Sequence, residues 1–280
     1  MLSKIHPFIK IIVYLFAIAG LFFVGGFFAI KSGLTNTSGI IDIQQENFLK
    51  VGSSEFKRFP LAHTPEWIAF RQAVALDRDV LTRVEKETGV SSRLIITPLV
   101  PEQMRLFYSN RALFKEIFGP LKILGAQSQF SWGIIGLKDD TAREIERRLK
   151  DPASPSYLGE KYEHLLDFKT TAAGVSTIIS EQEDHERFLR IVDEYNHYYS
   201  YLYTAIYLKE IEREWLRAGF DISKRPEILA TLFNIGFANS KPNANPQVGG
   251  SEINIDGVMY SFGGLAGLFY NSDELIELFP

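Results

Sequence analysis

Between Ile11 and Ile30 the chain carries no Asp, Glu, Lys, Arg or His. A run of about 20 apolar residues rising ~1.5 Å each covers the ~30 Å hydrocarbon core of a bilayer. A chain with such a segment cannot bury everything in one water-soluble core, so residues 11–30 are expected to be a transmembrane helix. Lys4 and Lys10 precede the run, and only Lys31 follows it before Lys50. That asymmetry puts residues 1–10 in the cytoplasm and the body outside, in a periplasm if the cell has one. A cleaved signal peptide is the rival reading. The run is longer than such a segment needs and ends Phe-Phe-Ala-Ile-Lys rather than in a small-x-small site, which favours an uncleaved anchor.

The rest of the 280 residues allow one moderate domain. The absence of Cys excludes thiolate catalysis, disulfides and Cys-ligated metals. A net charge of −4 with no basic block argues against nucleic acid as a partner. His6, His63, His164, His185 and His197 form no zinc-binding spacing. No Walker loop or Gly-x-Ser-x-Gly is present, so no metal or cofactor is expected.

Residues 31–60 read as a tether and 61–280 as the folded domain. Thr64-Pro65-Glu66 predicts a helix start, with the helix running toward Val84 and Gly89 stopping it. A second helix begins near Ser91. Pro98 and Pro101 predict a kink or break just before Glu102. Further helices are expected over 142–150, 162–180 and 184–218. Ser180 and Glu183 form a capping box before the last of these. That stretch, with Tyr195, Tyr198, Tyr199, Leu202, Ile206 and Ile211 near helical spacing, reads as the central core helix. Glu210, Glu212 and Glu214 among Lys209, Arg213 and Arg217 read as its solvated face. A short helix follows at 226–237. Glu252–Tyr260 alternates around Asp256-Gly257 as a hairpin does. Gly263–Gly267 reads as a tight turn, and Asn271-Ser272-Asp273 as the cap of a short C-terminal helix. The expected class is therefore mainly α with a small C-terminal β-hairpin.

Glu102 closes the apolar run Leu94–Pro101, and Met104, Leu106 and Phe107 follow it. Desolvation in such surroundings equips a carboxyl for general-acid work; the plainer reading is a Glu at a helix start. The chain then reads Gln127-Ser128-Gln129-Phe130-Ser131-Trp132-Gly133, and Thr141-Ala142 opens a helix. Later comes Phe233-Asn234-Ile235-Gly236. This succession over residues 85–240 resembles the lysozyme-like lytic transglycosylases, which cut the glycan strands of peptidoglycan. The resemblance implies a lysozyme-like helical domain with Glu102 as the single acid/base. It further implies a cleft lined by Gln127, Ser131, Trp132, Gly133 and Asn234. Trp132 is either a sugar-stacking ring or a core residue. The sequence departs from the family pattern at Gln103, where Ser is usual, at Gly136 (Gln) and at Phe233 (Tyr). The spacing from Glu102 to Ser131 implies an inserted helix around 111–124. Three readings remain open: a membrane-anchored enzyme making 1,6-anhydro ends, a non-catalytic envelope protein of the same fold that binds peptidoglycan or acts as a scaffold, and an unrelated helical envelope domain in which the motif match is chance. The partners expected are glycan strands, the inner membrane and an envelope protein complex.

Overall fold

A computed structural model describes residues 58–108, 131–132, 134–169, 176–236 and 240–280, with isolated helical positions at Tyr14, Gly20 and Gly25. The segment 11–30 otherwise lies outside the described residues, as does the helix expected around 111–124. Among the described residues no helix is long and apolar enough to cross a membrane.

The fold is mainly helical. Helix α1 spans Pro65–Leu76; the Thr64 hydroxyl accepts from the Trp67 N–H, and Pro65 stands at its first turn. It does not continue to Val84 as expected. It ends at Asp77, and α2 (Arg78–Thr88) begins at once. The residue at the break has distant partners: Asp77 Oδ2 accepts from His197 Nδ1 at 2.7 Å and from the Tyr201 hydroxyl at 2.6 Å. Burial pushes the Asp77 carboxyl up, but these two hydrogen bonds hold it below its ordinary value; the same bond raises His197. Gly89 ends α2 with φ 73°, and Ser91 caps α3 (Ser92–Ile96). Thr97 and Pro98 interrupt the chain, and α4 (Leu99–Tyr108) follows. Pro101 sits inside its first turn, where a missing N–H costs nothing.

Beyond α4, the two-residue strands β1 (Ser131–Trp132) and β2 (Leu137–Lys138) pair antiparallel. They lead into α5 (Asp139–Leu149). The helix expected over 162–180 is not formed as such. A 3-10 turn occupies Glu160–Tyr162, and α6 runs Ser176–Val192 straight through the expected capping box. The long helix expected over 184–218 is broken as well. Asp193 Oδ1 accepts from the N–H groups of Tyr195 and Asn196, closing a turn that leaves Tyr195 98% exposed rather than in the core. Only then does α7 (Tyr198–Arg217) begin.

Every residue from Ser200 to Leu208 is buried, so this part of α7 is enclosed around its whole circumference. It packs against α2, α3, α5 and α6, and against α8 (Pro226–Ile235). The hairpin forms as expected. Strand β3 (Glu252–Ile255) pairs with β4 (Val258–Ser261) through Asp256 and Gly257, both at positive φ, as a type I′ turn requires. Gly263–Gly267 is not a turn. It lies in α9 (Phe262–Tyr270), where a Cβ on Gly263 would stand 2.0 Å from Thr231 Oγ1. The glycine lets α9 press onto α8. No helix follows Asn271; the chain ends in turns.

Glu210 corrects the expected solvated face of α7. It is 0% exposed, and among the described residues neither carboxylate oxygen has a hydrogen-bond partner. Burial pushes its carboxyl well above the usual range, with Arg148 of α5 opposing. Arg148 pairs instead with Glu144, at 2.9 Å. A raised folded value means stability that is full below about 4.5, the ordinary Glu value, and declines as pH rises through the folded one. Melting temperature should therefore fall between pH 5 and pH 8. Glu210→Leu should flatten that slope and add roughly 1–4 kcal/mol at pH 8. A destabilised, equally pH-sensitive Leu variant would refute this.

Candidate functional site

Glu102 lies in the first turn of α4, not at the end of an apolar helix. Val100 and Met104 on either side are fully buried, and Glu102 itself is 4% exposed. One nitrogen of Arg105, Nη2, donates to both of its oxygens, at 2.7 and 2.5 Å. The i,i+3 spacing puts the two side chains on one face, and the acid stands at the positive end of the helix dipole. Among the described residues, Arg105 Nε is buried without an acceptor.

The turn between β1 and β2 is brought onto this carboxylate. Gln103 Nε2 donates to the Ile134 carbonyl in a short contact, fastening the turn to α4. Gly136, at φ 60°, then lies directly over Glu102. A Cβ there would fall 2.1 Å from Glu102 Oε1 and 2.5 Å from its Cδ. Two of the three departures noted in the sequence, Gln103 and Gly136, are therefore joined in space. Gln103 holds the turn, and Gly136 makes room for the acid beneath it.

Ser131 and Trp132 form β1, whose backbone pairs with Lys138 and Leu137. Gln127 and Gly133 lie outside the described residues. Helix α5 opens with Asp139 and Asp140, and Thr141-Ala142 falls in its first turns. Asn234 is at the end of α8 and turns to the chain before β3. Its Oδ1 accepts from Ser251 N at 2.7 Å and from Ser251 Oγ at 2.9 Å. Gly250, at φ 98°, leaves space for that bond. Among the described residues, Asn234 makes no hydrogen bond with Glu102. Phe233 packs on Tyr207, with ring centroids 5.2 Å apart. The structure thus joins Glu102 to the 134–138 turn and assigns Asn234 a latch to Ser251. No group of three or more His, Asp or Glu among the described residues is placed to hold a metal.

Arg105 was missed by the sequence reading, although its place three residues after Glu102 is a recognised pairing signal. Gly136→Ala tests the contact. The alanine must adopt positive φ and also displace a buried carboxyl. Gly89→Ala pays only for its φ, since nothing lies within 4 Å of a Cβ there. Gly136→Ala is expected to lower stability by about 1–3 kcal/mol more than Gly89→Ala in urea unfolding. Equal losses would mean that the turn does not press on Glu102.

No protein-family model, curated protein or solved structure matches this chain.

Proposed function

We propose that this chain is a divergent, membrane-anchored murein lytic transglycosylase of lysozyme-like fold. Residues 11–30 anchor it in the inner membrane, and its body faces the periplasm. The observation that carries the reading is the seating of the Gly136 turn on the buried Glu102 carboxyl. The contact brings Glu102 against Gly136, in the turn that follows Ser131-Trp132-Gly133, although the two are far apart in sequence.

In this reaction Glu102, protonated, gives its proton to the glycosidic oxygen as the bond from the anomeric carbon of N-acetylmuramic acid to that oxygen breaks. The 6-hydroxyl of the same sugar then bonds to the anomeric carbon, and its proton passes to Glu102. No water is consumed and no second carboxylate is required. Arg105 must first release the carboxyl, because it occupies both oxygens.

That engagement favours a second reading, a glycan-binding envelope protein that does not cut. Digestion of purified sacculi with the full-length protein, followed by mass analysis, separates the two. Soluble muropeptides with 1,6-anhydro ends support the enzyme. Reducing ends refute the single-acid mechanism. Co-sedimentation without release of fragments supports the binder.

A further inference from the structure

Within the described residues the Glu102–Arg105 pair is an unequal match. Both carboxylate oxygens converge on one guanidinium nitrogen, Nη2, rather than lying along the two parallel N–H bonds of a fork. Nε, which lies on an edge able to make such a fork, is buried and has no acceptor. A guanidinium offers five donors in fixed geometry, and a second carboxylate could take the Nε and Nη2 edge side-on. An unmet buried donor beside a shared one favours that exchange, because the incoming oxygens would satisfy Nε as well as replace Glu102.

We propose that Arg105 is a specificity residue that recognises a carboxylate on the glycan, and that this binding releases Glu102. The ligand class is a muramic-acid glycan whose lactyl carboxyl is free rather than amide-linked to a peptide. Arg105 then has two alternative partners, the protein's acid and the ligand's. Without an anionic ligand the acid stays held; with one, it is free to meet the glycosidic oxygen. This inference rests on the transglycosylase reading for its glycan, but its test does not depend on cleavage.

The test is calorimetric titration of the full-length protein with a disaccharide of N-acetylglucosamine and N-acetylmuramic acid. One probe has its lactyl carboxyl free and the other has it methyl-amidated. Wild type should bind the free acid roughly tenfold more tightly, as a charge-assisted fork would provide. Glu102→Gln removes the competing carboxylate and should widen that preference. Arg105→Gln should abolish it. If Arg105→Gln does not fold, the wild type and Glu102→Gln comparison still decides. Equal affinity for the two probes in wild type, a preference that Glu102→Gln narrows, or one that survives Arg105→Gln would overturn the proposal. So would failure to bind either probe. Preference without any cleavage of sacculi would leave Arg105 in this role and reject the transglycosylase reading. Cleavage without preference would do the reverse.

Discussion

Glu102→Gln is expected to slow release of 1,6-anhydro muropeptides by a factor on the order of 10²–10⁴. Gln keeps the volume that Gly136 presses on, so the turn can stay seated. What it removes is the proton donor, together with the negative partner of Arg105. That guanidinium side chain is only 14% exposed, so some loss of stability must accompany the change. The rate is therefore compared at a temperature where the melt shows the variant folded. Near wild-type cleavage by a folded Glu102→Gln protein would remove Glu102 from the reaction. An Asn234→Ala variant separates site from latch. Asn234 accepts both polar groups of Ser251, so its loss should show first in stability.

Arg93→Met is expected to be the most damaging single change to the fold. Arg93 stands in α3 and is 4% exposed. Its guanidinium donates to the carbonyls of Phe269, Tyr270, Ser272, Glu274 and Phe279. Those acceptors match the side chain's five N–H groups in number. Phe269 and Tyr270 are the last residues of α9, whose carbonyls have no partners within the helix. The ring of Phe269 also lies beneath the charge, 4.9 Å from the guanidinium carbon. Methionine fills similar space but removes the guanidinium donors; Phe269 keeps the N–H and hydroxyl of Ser272, while the other four carbonyls lose this partner. The expected cost is about 3–5 kcal/mol in urea unfolding, with early hydrogen exchange over residues 270–280. Arg93→Lys retains the charge but not the fork, and should fall between the two. A Met variant within ~1 kcal/mol of wild type would show that the carbonyls find other partners or water. Trp67 reinforces the same segment, donating from Nε1 to Glu274 at 2.9 Å while its ring packs against Phe59 and Phe269. The C-terminal tail is thus held by α1 and α3, elements some 200 residues earlier.

The features legible in the sequence are those whose causes lie within a few residues. Thr64 and Ser91 cap the helices they precede, Gly89 ends α2, Pro226 opens α8, and Asp256-Gly257 makes the hairpin turn. Each depends on a local backbone angle or a hydrogen bond spanning two or three positions, so the residue type is enough. Burial of α7 was legible too, because apolar spacing is itself a local signal. Tertiary structure decided what depends on distant partners. At Asp77, where α1 gives way to α2, the side chain is held by His197 and Tyr201 from the start of α7, which no local pattern near residue 77 announces. Glu210 is buried because α5 covers it, although its charged neighbours in sequence look solvated. Gly263 lies in a helix rather than a turn, and its missing Cβ is what lets Thr231 and Glu227 of α8 come so near, a contact no local pattern announces. At the candidate site, sequence singled out Glu102 by its apolar neighbours. Only the fold set Arg105 on its oxygens, hung the turn on Gln103, and placed Gly136 over the acid. Carboxylate chemistry is decided by whatever stands within hydrogen-bond reach, and here part of that shell comes from a turn some 30 residues away.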